Sequence, residues 1–433
     1  MSDAAPAEGR SFNPLRWPLY VRVMLGVAIG SLLGWKFGER PYLGAWGNAE
    51  LGALGLLFID VLKALAAPLV VLAILDAFLR IGIRRRDGVR LAVICLVNVS
   101  VAMAIGLAIT NFARPGVYWR AIISAKVADE GTEPPVERPA LEVISRFVPD
   151  NLVEPFLYGN LLTLALLAIL AGAALRRVRD KQIARGETSM QTVEKLVEAG
   201  YQIVMQMLEW VMQLLPFAVL GVLAQVVGEH RADQGSELVF SLWAFLRVML
   251  LGLALHALVY YPLSAWLLGG RSPLRFLAAG FGPMVAGLSS NSSLITVPLT
   301  LRALTERLKV SEQSARLSAC VGTNFNNDGI TLYEAMTALF VAQAAGLDLS
   351  VFEQLGVALA CIAVSFGAAG IPNAGFIILP LVLSAAGLPE PVIAAALPLI
   401  LAVDWILARV RSAVNVLGDM QVAVLLDRGS APE

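Results

Sequence analysis

The sequence predicts an all-α polytopic membrane protein, and three observations carry that prediction. Hydrophobic residues make up 58% of the 433 and charged residues only 15%, whereas a soluble chain carries roughly 25% charged residues. Stretches free of Asp, Glu, Lys and Arg reach the ~20 residues that a bilayer-crossing helix needs. In the last third, two such stretches are interrupted in the middle by polar or Gly-Pro clusters. Mean hydropathy is +0.72 and apolar residues are spread over most of the length, which excludes a soluble domain hung on one anchor.

Other classes fall away on composition. Basic and acidic residues balance at 33 each, so nothing points to nucleic acid. Cys95, Cys320 and Cys361 lie in apolar stretches, and His230 and His256 are the only histidines, so no disulfide framework or zinc site is expected. Residues 1–18 are polar, with Pro6, Pro14 and Pro18 and no apolar core, and read as a short cytoplasmic arm rather than a signal peptide.

Six helices are expected within 19–270. Val23–Trp35 with its flanks gives the first, and Leu51–Leu79, which carries Asp60, Lys63 and Asp76, the second. Leu91–Ala113, Pro155–Leu175, Trp210–Gly228 and Val248–Gly270 carry no charge and are bounded by charged residues. The connections holding Arg80, Arg84, Arg85, Arg86 and Arg90, and then Arg176, Arg177, Arg179, Lys181 and Arg185, are densely basic and are expected in the cytoplasm. Both termini follow them there, and 117–150, rich in Pro, Glu and Asp, becomes an external, poorly ordered loop.

Residues 271–427 form a distinct core, followed by the tail 428–433. Its parts are a hairpin over 271–305, a broken segment over 312–345, a second hairpin over 351–388 and a final helix over 391–425, giving eight membrane helices and two re-entrant hairpins. Ser289-Ser290-Asn291-Ser292-Ser293 breaks the first hairpin, and 367–375, which includes Gly370 and Pro372, breaks the second. Backbone groups freed at such breaks cost several kcal/mol each in hydrocarbon, so they must face protein, water or a ligand. Two ordinary short helices joined by a turn would explain one break alone. Here the two flank a third, where Asn324, Asn326, Asn327 and Asp328-Gly329 separate apolar runs. Paired interrupted segments are how membrane proteins build a site near the bilayer midplane.

The final helix adds a polar stripe. At ~100° per residue Asp404, Arg411 and Asn415 fall within about 40° of one another, with Asp419 about 40° further round. An ionisable group at the bilayer centre costs ~2.5–3.5 kcal/mol even on the lenient scale, so these are candidate functional residues, against the alternative of an Asp404–Arg411 pair that only locks helices. Arg411 offers a planar fork suited to a carboxylate. Asp328 and Asp419, with Asn326 and Asn415 nearby in sequence, supply oxygens of the kind an alkali cation takes.

On these residues the sequence resembles the dicarboxylate/amino acid:cation symporter family, the glutamate transporter group. Asn326-Asn327-Asp328-Gly329 is similar to the family's Asn-Met-Asp-Gly-Thr motif, Gly367–Gly375 to its second hairpin tip, and Asp404–Asp419, with Arg409, to its last helix. The resemblance implies an elevator fold with inverted repeats, a homotrimer in the plasma (inner) membrane, and symport of a small carboxylate with sodium as the coupling ion, or a proton in place of one ion. No other cofactor is implied. It implies that scaffold helices within 19–270 hold a mobile domain made of the third and sixth helices and the 271–427 core.

Residue by residue, the resemblance assigns the substrate to Arg411, Asn415 and Ser412, to the first hairpin near Ser292 and Ser293, and to the second near Gly370 and Pro372. Asp404, Ala408 and Ile330 complete that pocket. It assigns one sodium ion to Asp419 with the backbone of Gly322, Asn326 and Asn415, and another to Asp328 with the side chain of Asn326, with Asn324 and Asn98 at positions where the family supplies hydroxyls.

Departures from the pattern bear on substrate choice. Ala408 stands where amino-acid carriers have an Asp that pairs with the substrate's ammonium, Ile330 replaces a Thr, and Asn327 replaces a Met. Cys95, Asn98 and Val99 replace the Tyr, Thr and Ser of a sodium site. A C4-dicarboxylate is therefore expected over glutamate or aspartate, with an acidic or neutral amino acid as the alternative, while Asp419 favours sodium. A passive anion channel and a transport-inactive, receptor-like homologue are rival readings. An enzyme is not expected, since the polar set contains no nucleophile–base pair or metal triad.

Overall fold

Backbone N–H and C=O groups in hydrocarbon must be satisfied within their own segment, which selects helices. The structure is a computed structural model that describes residues 17–42, 44–80, 85–120, 123, 149, 151–157, 161–229, 235–365 and 374–428. Every regular element among them is helical. In order these are α1 (Leu19–Phe37), α2 (Asn48–Arg80), α3 (Arg85–Ala113), α4 (Glu154–Leu157), α5 (Leu161–Ala184), α6 (Met190–Met212) and α7 (Leu215–Glu229). α8 (Gly235–Leu255) continues through a π turn, His256–Tyr260, into α9 (Tyr261–Leu267). Next come α10 (Pro273–Ser290), α11 (Val297–Arg302), α12 (Glu312–Arg316), α13 (Asp328–Ala344), α14 (Val351–Ser365), α15 (Ala374–Ala385) and α16 (Glu390–Asp427). Among the described residues, Asn48–Asp76, Arg86–Ala113, Phe240–Leu267 and Glu390–Asp427 are each long and apolar enough to cross a membrane.

Several expected boundaries need correction. The window Trp210–Gly228 is not one helix: α6 stops at Met212 and α7 starts at Leu215. Pro216 has no N–H to continue the ladder, and the chain turns through Gln213 N→Trp210 O and Leu214 N→Val211 O bonds of 3.1 and 2.9 Å. The window Val248–Gly270 starts late, because α8 already runs through Arg247, and ends late, because Gly270 at φ 69° terminates the helix. Pro155 belongs to α4, and α5 runs past Leu175 to Ala184.

The loop expected at 117–150 is not loose where it begins. Pro115–Trp119 forms a 3₁₀ turn, and Trp119 and Ile123 are fully buried. Trp119 packs edge-on against Phe340 at 4.7 Å and, tilted, against Phe245 at 5.7 Å between ring centroids, so an aromatic anchor outweighs the polar composition that follows it. Most of 121–150, including 124–148, lies outside the described residues.

Two compact units emerge. The first, Met1–Phe58 with Trp210–Gly235, is held by close helix contact. Gly26, Gly30 and Gly34 form a stripe on α1, and a Cβ at any of them would overlap the backbone carbonyls of Pro216, Leu220 and Ala224 respectively. Small residues four apart let backbones approach, the favoured way to pack helices where lipid removes the hydrophobic drive.

The second unit, Ile59–Glu209 with Ser236–Glu433, is built round α13. All 17 of its residues are buried, and it is packed by α3, α14, α15 and α16. The far end of α16 is pinned by polar caps. Arg90 donates to the Leu425 and Leu426 carbonyls at 2.7 and 2.9 Å, Asp427 accepts from Ser311 N at 2.9 Å, and Arg428 donates to the Leu268 carbonyl at 2.8 Å. Cationic side chains on the final carbonyls satisfy orphan acceptors and oppose the helix dipole.

Gly30→Val should destabilise the first unit by about 1–3 kcal/mol, the usual cost of overpacking. Thermal unfolding in detergent is expected to show a lower midpoint than the parent, and an unchanged midpoint would mean that α1 and α7 do not meet at this stripe.

Candidate functional site

Arg411 projects from the middle of α16 and is 2% exposed. Its Nη1 and Nη2 donate to the two carboxylate oxygens of Asp404, one helical stretch earlier, at 2.6 and 3.3 Å. The guanidinium carbon lies 3.9 Å from the centroid of the Tyr333 ring on α13. On α15, a Cβ at Gly375 would come within 3.0 Å of that same carbon. A buried charge is tolerable when paired and hydrogen-bonded, and Tyr333 adds a cation–π contact. Guanidinium carries five N–H donors, so Asp404 orients the fork without exhausting it.

The tip of the first hairpin comes to the same helix. α10 ends at Ser290, Asn291 turns the chain at φ 55°, and a 3₁₀ turn, Leu294–Thr296, starts the return. Arg409 donates to the Leu288 and Ser289 carbonyls at 3.0 and 2.7 Å, capping the exposed end of α10. Ser412 Oγ lies 3.2 Å from Asn291 Oδ1 and 3.1 Å from the Ala408 carbonyl. Ser293 is buried and its Oγ accepts from Thr323 Oγ1 at 3.3 Å, whereas Ser292 is half-buried and its carbonyl accepts from Ser290 Oγ.

The expected break between 312 and 345 falls at Phe325–Asn327. α12 runs on through Leu317–Val321 and Gly322–Asn324, and α13 begins at Asp328. The Gly322 carbonyl accepts from Phe325 N and Asn326 N at 2.7 and 2.8 Å. Across the break, Asn415 Oδ1 accepts from Gly329 N at 2.9 Å, which caps α13 from a different helix. Asp419 is buried, with Asn326 Nδ2 at 3.5 Å from its Oδ1 and Ser318 Oγ donating to its backbone carbonyl at 2.6 Å.

Asp328 is met by residues that the sequence did not single out. Tyr261 OH donates to its Oδ2 at 2.8 Å, and His256 Nε2 lies 3.3 Å from the same oxygen. The π turn explains the pairing. Tyr261 N bonds the His256 carbonyl, an i→i+5 step that sets these two residues one above the other, and π turns concentrate at functional sites. Asp328 Oδ1, buried, has no hydrogen-bond partner among the described residues.

Asp404, Arg411, Ser412, Asn415 and Asp419 are therefore set along α16, with Asn326 reaching Asp419, Gly322 opening the turn before the break, and Ser293 of the hairpin tip meeting Thr323 in that same turn. Ala408 and Ile330 are buried beside them, on α16 and on the first turn of α13. Asn324 ends the turn before the break. Gly370 and Pro372 lie outside the described residues. Asn98 is buried, with its amide engaged by Asn326, Gln421 and Tyr260. Besides His256 and Tyr261, sequence reasoning missed Tyr333 and Glu334. Glu334 is fully buried, with neither carboxylate oxygen hydrogen-bonded among the described residues.

A buried arginine fork, helix breaks rich in oxygens and a hairpin tip set against one polar helix, in a chain with several long apolar helices, are the build of a membrane transporter. The chain matches the model of the Sodium:dicarboxylate symporter family over residues 19–429 and belongs to that family. It is an integral membrane transporter of that family. Its similarity spans two kinds of relative. It is 30% identical to the C4-dicarboxylate transport protein of Anaeromyxobacter sp. (strain K), over 95% of this chain and 89% of that one. It is 27% identical to human Excitatory amino acid transporter 3 over 95% of this chain and 85% of that one. With the mouse Excitatory amino acid transporter 3 it shares 34% identity over 60% of this chain, a match that spans 47% of the mouse protein.

Gly375→Ala should push the guanidinium off its seat between Tyr333 and α15. Carboxylate binding is expected to weaken roughly tenfold, a loss of about 1.4 kcal/mol, read as a reduced succinate-induced rise in unfolding temperature. An undiminished rise would place the carboxylate away from Arg411.

Proposed function

We propose that this chain is a sodium-coupled symporter of a small dicarboxylate, preferring a C4-dicarboxylate to an acidic amino acid. The observation that carries the substrate is the contrast between two positions on α16. Arg411 presents a buried fork, while Ala408, one turn from Ser412, is buried and apolar. A substrate ammonium placed there would be an uncompensated buried charge, which costs about 3–5 kcal/mol. Asp404 is committed to Arg411. Arg411 then grips one carboxylate, and the second meets Asn415 and the first hairpin tip near Ser292 and Ser293.

Sodium is assigned to Asp419 with the backbone of Gly322, Asn326 and Asn415, and to Asp328 with the side chain of Asn326; Asp328 Oδ1 is buried with no hydrogen-bond partner among the described residues. The whole protein is read as a homotrimer in the plasma membrane, with eight membrane helices, two re-entrant hairpins and cytoplasmic termini. Its core moves as an elevator across the bilayer.

Glu334 supports a second reading. A buried carboxylate with no hydrogen-bond partner among the described residues could receive a substrate ammonium and make the cargo an acidic amino acid; several relatives are named excitatory amino acid transporters.

Uptake into proteoliposomes carrying variants separates the two. Ala408→Asp is expected to raise the ratio of aspartate to succinate uptake by roughly tenfold or more, from the restored ion pair. An unmoved ratio in Ala408→Asp, together with aspartate uptake lost in Glu334→Gln, would favour the amino-acid reading.

A further inference from the structure

Gln421 and Asn98 form a buried amide pair two residues beyond Asp419. Asn98 Nδ2 donates to Gln421 Oε1 at 2.8 Å, and Gln421 Nε2 lies 3.3 Å from Asn98 Oδ1. The pair is tied at both ends. Gln421 Nε2 donates to Ser264 Oγ at 2.9 Å, Tyr260 OH donates to Asn98 Oδ1 at 2.8 Å, and Asn98 Nδ2 donates to Asn326 Oδ1 at 3.2 Å. Asn326 in turn aims its Nδ2 at Asp419 Oδ1, 3.5 Å away. The result is a continuous polar chain from Asp419 on α16, through the break before α13 and through α3, back to Gln421, and on to Ser264 and Tyr260 of the sixth apolar span.

The direction of that chain matters for a cation. With its N–H end toward Asp419, the Asn326 amide repels a positive ion at that carboxylate, and with its oxygen end there its dipole attracts one. Turning Asn326 would bring two N–H groups together at Asn98 unless Asn98 turned as well, and Gln421 after it. Each link is an amide with a donor and an acceptor end, or a hydroxyl that can serve as either. With a cation at Asp419 to face the turned Asn326 oxygen, the whole chain can therefore reverse without leaving a buried polar group unpaired, whereas one link reversing alone could not.

We propose that Gln421 is a positioning residue for the cation site: through Asn98 it sets which end of the Asn326 amide faces Asp419. This rests on the sodium-coupled reading above. Gln421 touches neither cargo nor ion, and its effect is transmitted by the polarity of two intervening amides.

Radioactive-sodium binding to the purified full-length protein tests this without requiring transport. Gln421→Leu is expected to weaken sodium binding roughly tenfold, the low end of what outer partners of metal ligands contribute. Asn98→Leu should cost a similar factor, and the double variant no more than either alone, because both break one chain. Gln421→Met, of similar length and also apolar, serves if the leucine variant does not fold. In proteoliposomes, Gln421→Leu should raise the sodium half-saturation while leaving the succinate KM at saturating sodium in place. Unaltered sodium affinity in a folded Gln421 variant, or losses that add in the double variant, would overturn the proposal. Carboxylate flux absent from the parent, with sodium binding still sensitive to Gln421, would instead count against the symport reading.

Discussion

Interrupting a helix inside a membrane releases backbone donors and acceptors that hydrocarbon cannot satisfy, and the polar face of α16 supplies their partners. Arg409 caps the carbonyls of Leu288 and Ser289 where α10 stops, and Asn415 caps the amide of Gly329 where α13 starts. Ser412 reaches Asn291 at the hairpin tip between them. The same helix that carries the candidate ligands therefore holds the broken segments in place. The groups proposed to bind substrate and cation are positioned by the interactions that satisfy the breaks.

This economy links the two halves of the proposed chemistry. Asn415 touches the start of α13 through Gly329 and Asn327, and Arg411 lies one turn away against Tyr333 of that same helix. Asp419 follows one turn later and meets Asn326 at the break. An ion that reorganised the break would act on the first turn of α13, which bears Ile330 and leads to Tyr333. Coupling between cation and carboxylate needs no long pathway here, only a segment with two arrangements that both ligands bias.

Much of this was legible in the sequence, for a physical reason. Charge is so costly in hydrocarbon that Asp404, Arg411 and Asp419 stand out in an apolar run, and helical period places them on one face. Breaks at Asn291–Ser293 and before Asp328 were legible because polar clusters cannot continue an apolar helix without partners. His256, Tyr260, Tyr261 and Tyr333 were not, because aromatic residues inside an apolar run look like lipid-facing or core side chains. Only the π turn reveals that His256 and Tyr261 share a side, and Tyr261 meets Asp328 across 67 positions of sequence. Gln421 escaped notice because an uncharged amide near a helix end carries little signal until its partner on α3 is known. Trp119 shows the converse failure, where a buried anchor was hidden by the composition of the chain after it.

The central claim is that a buried arginine and a buried alanine on one helix select a dicarboxylate, and that sodium drives it. The most direct measurement is uptake of labelled succinate and labelled aspartate by the unaltered protein in sealed vesicles, with and without an inward sodium gradient. The account predicts succinate accumulation above the external concentration only when the gradient is present, with little aspartate taken up. Equilibration without accumulation, or aspartate accumulated in preference to succinate, would contradict it.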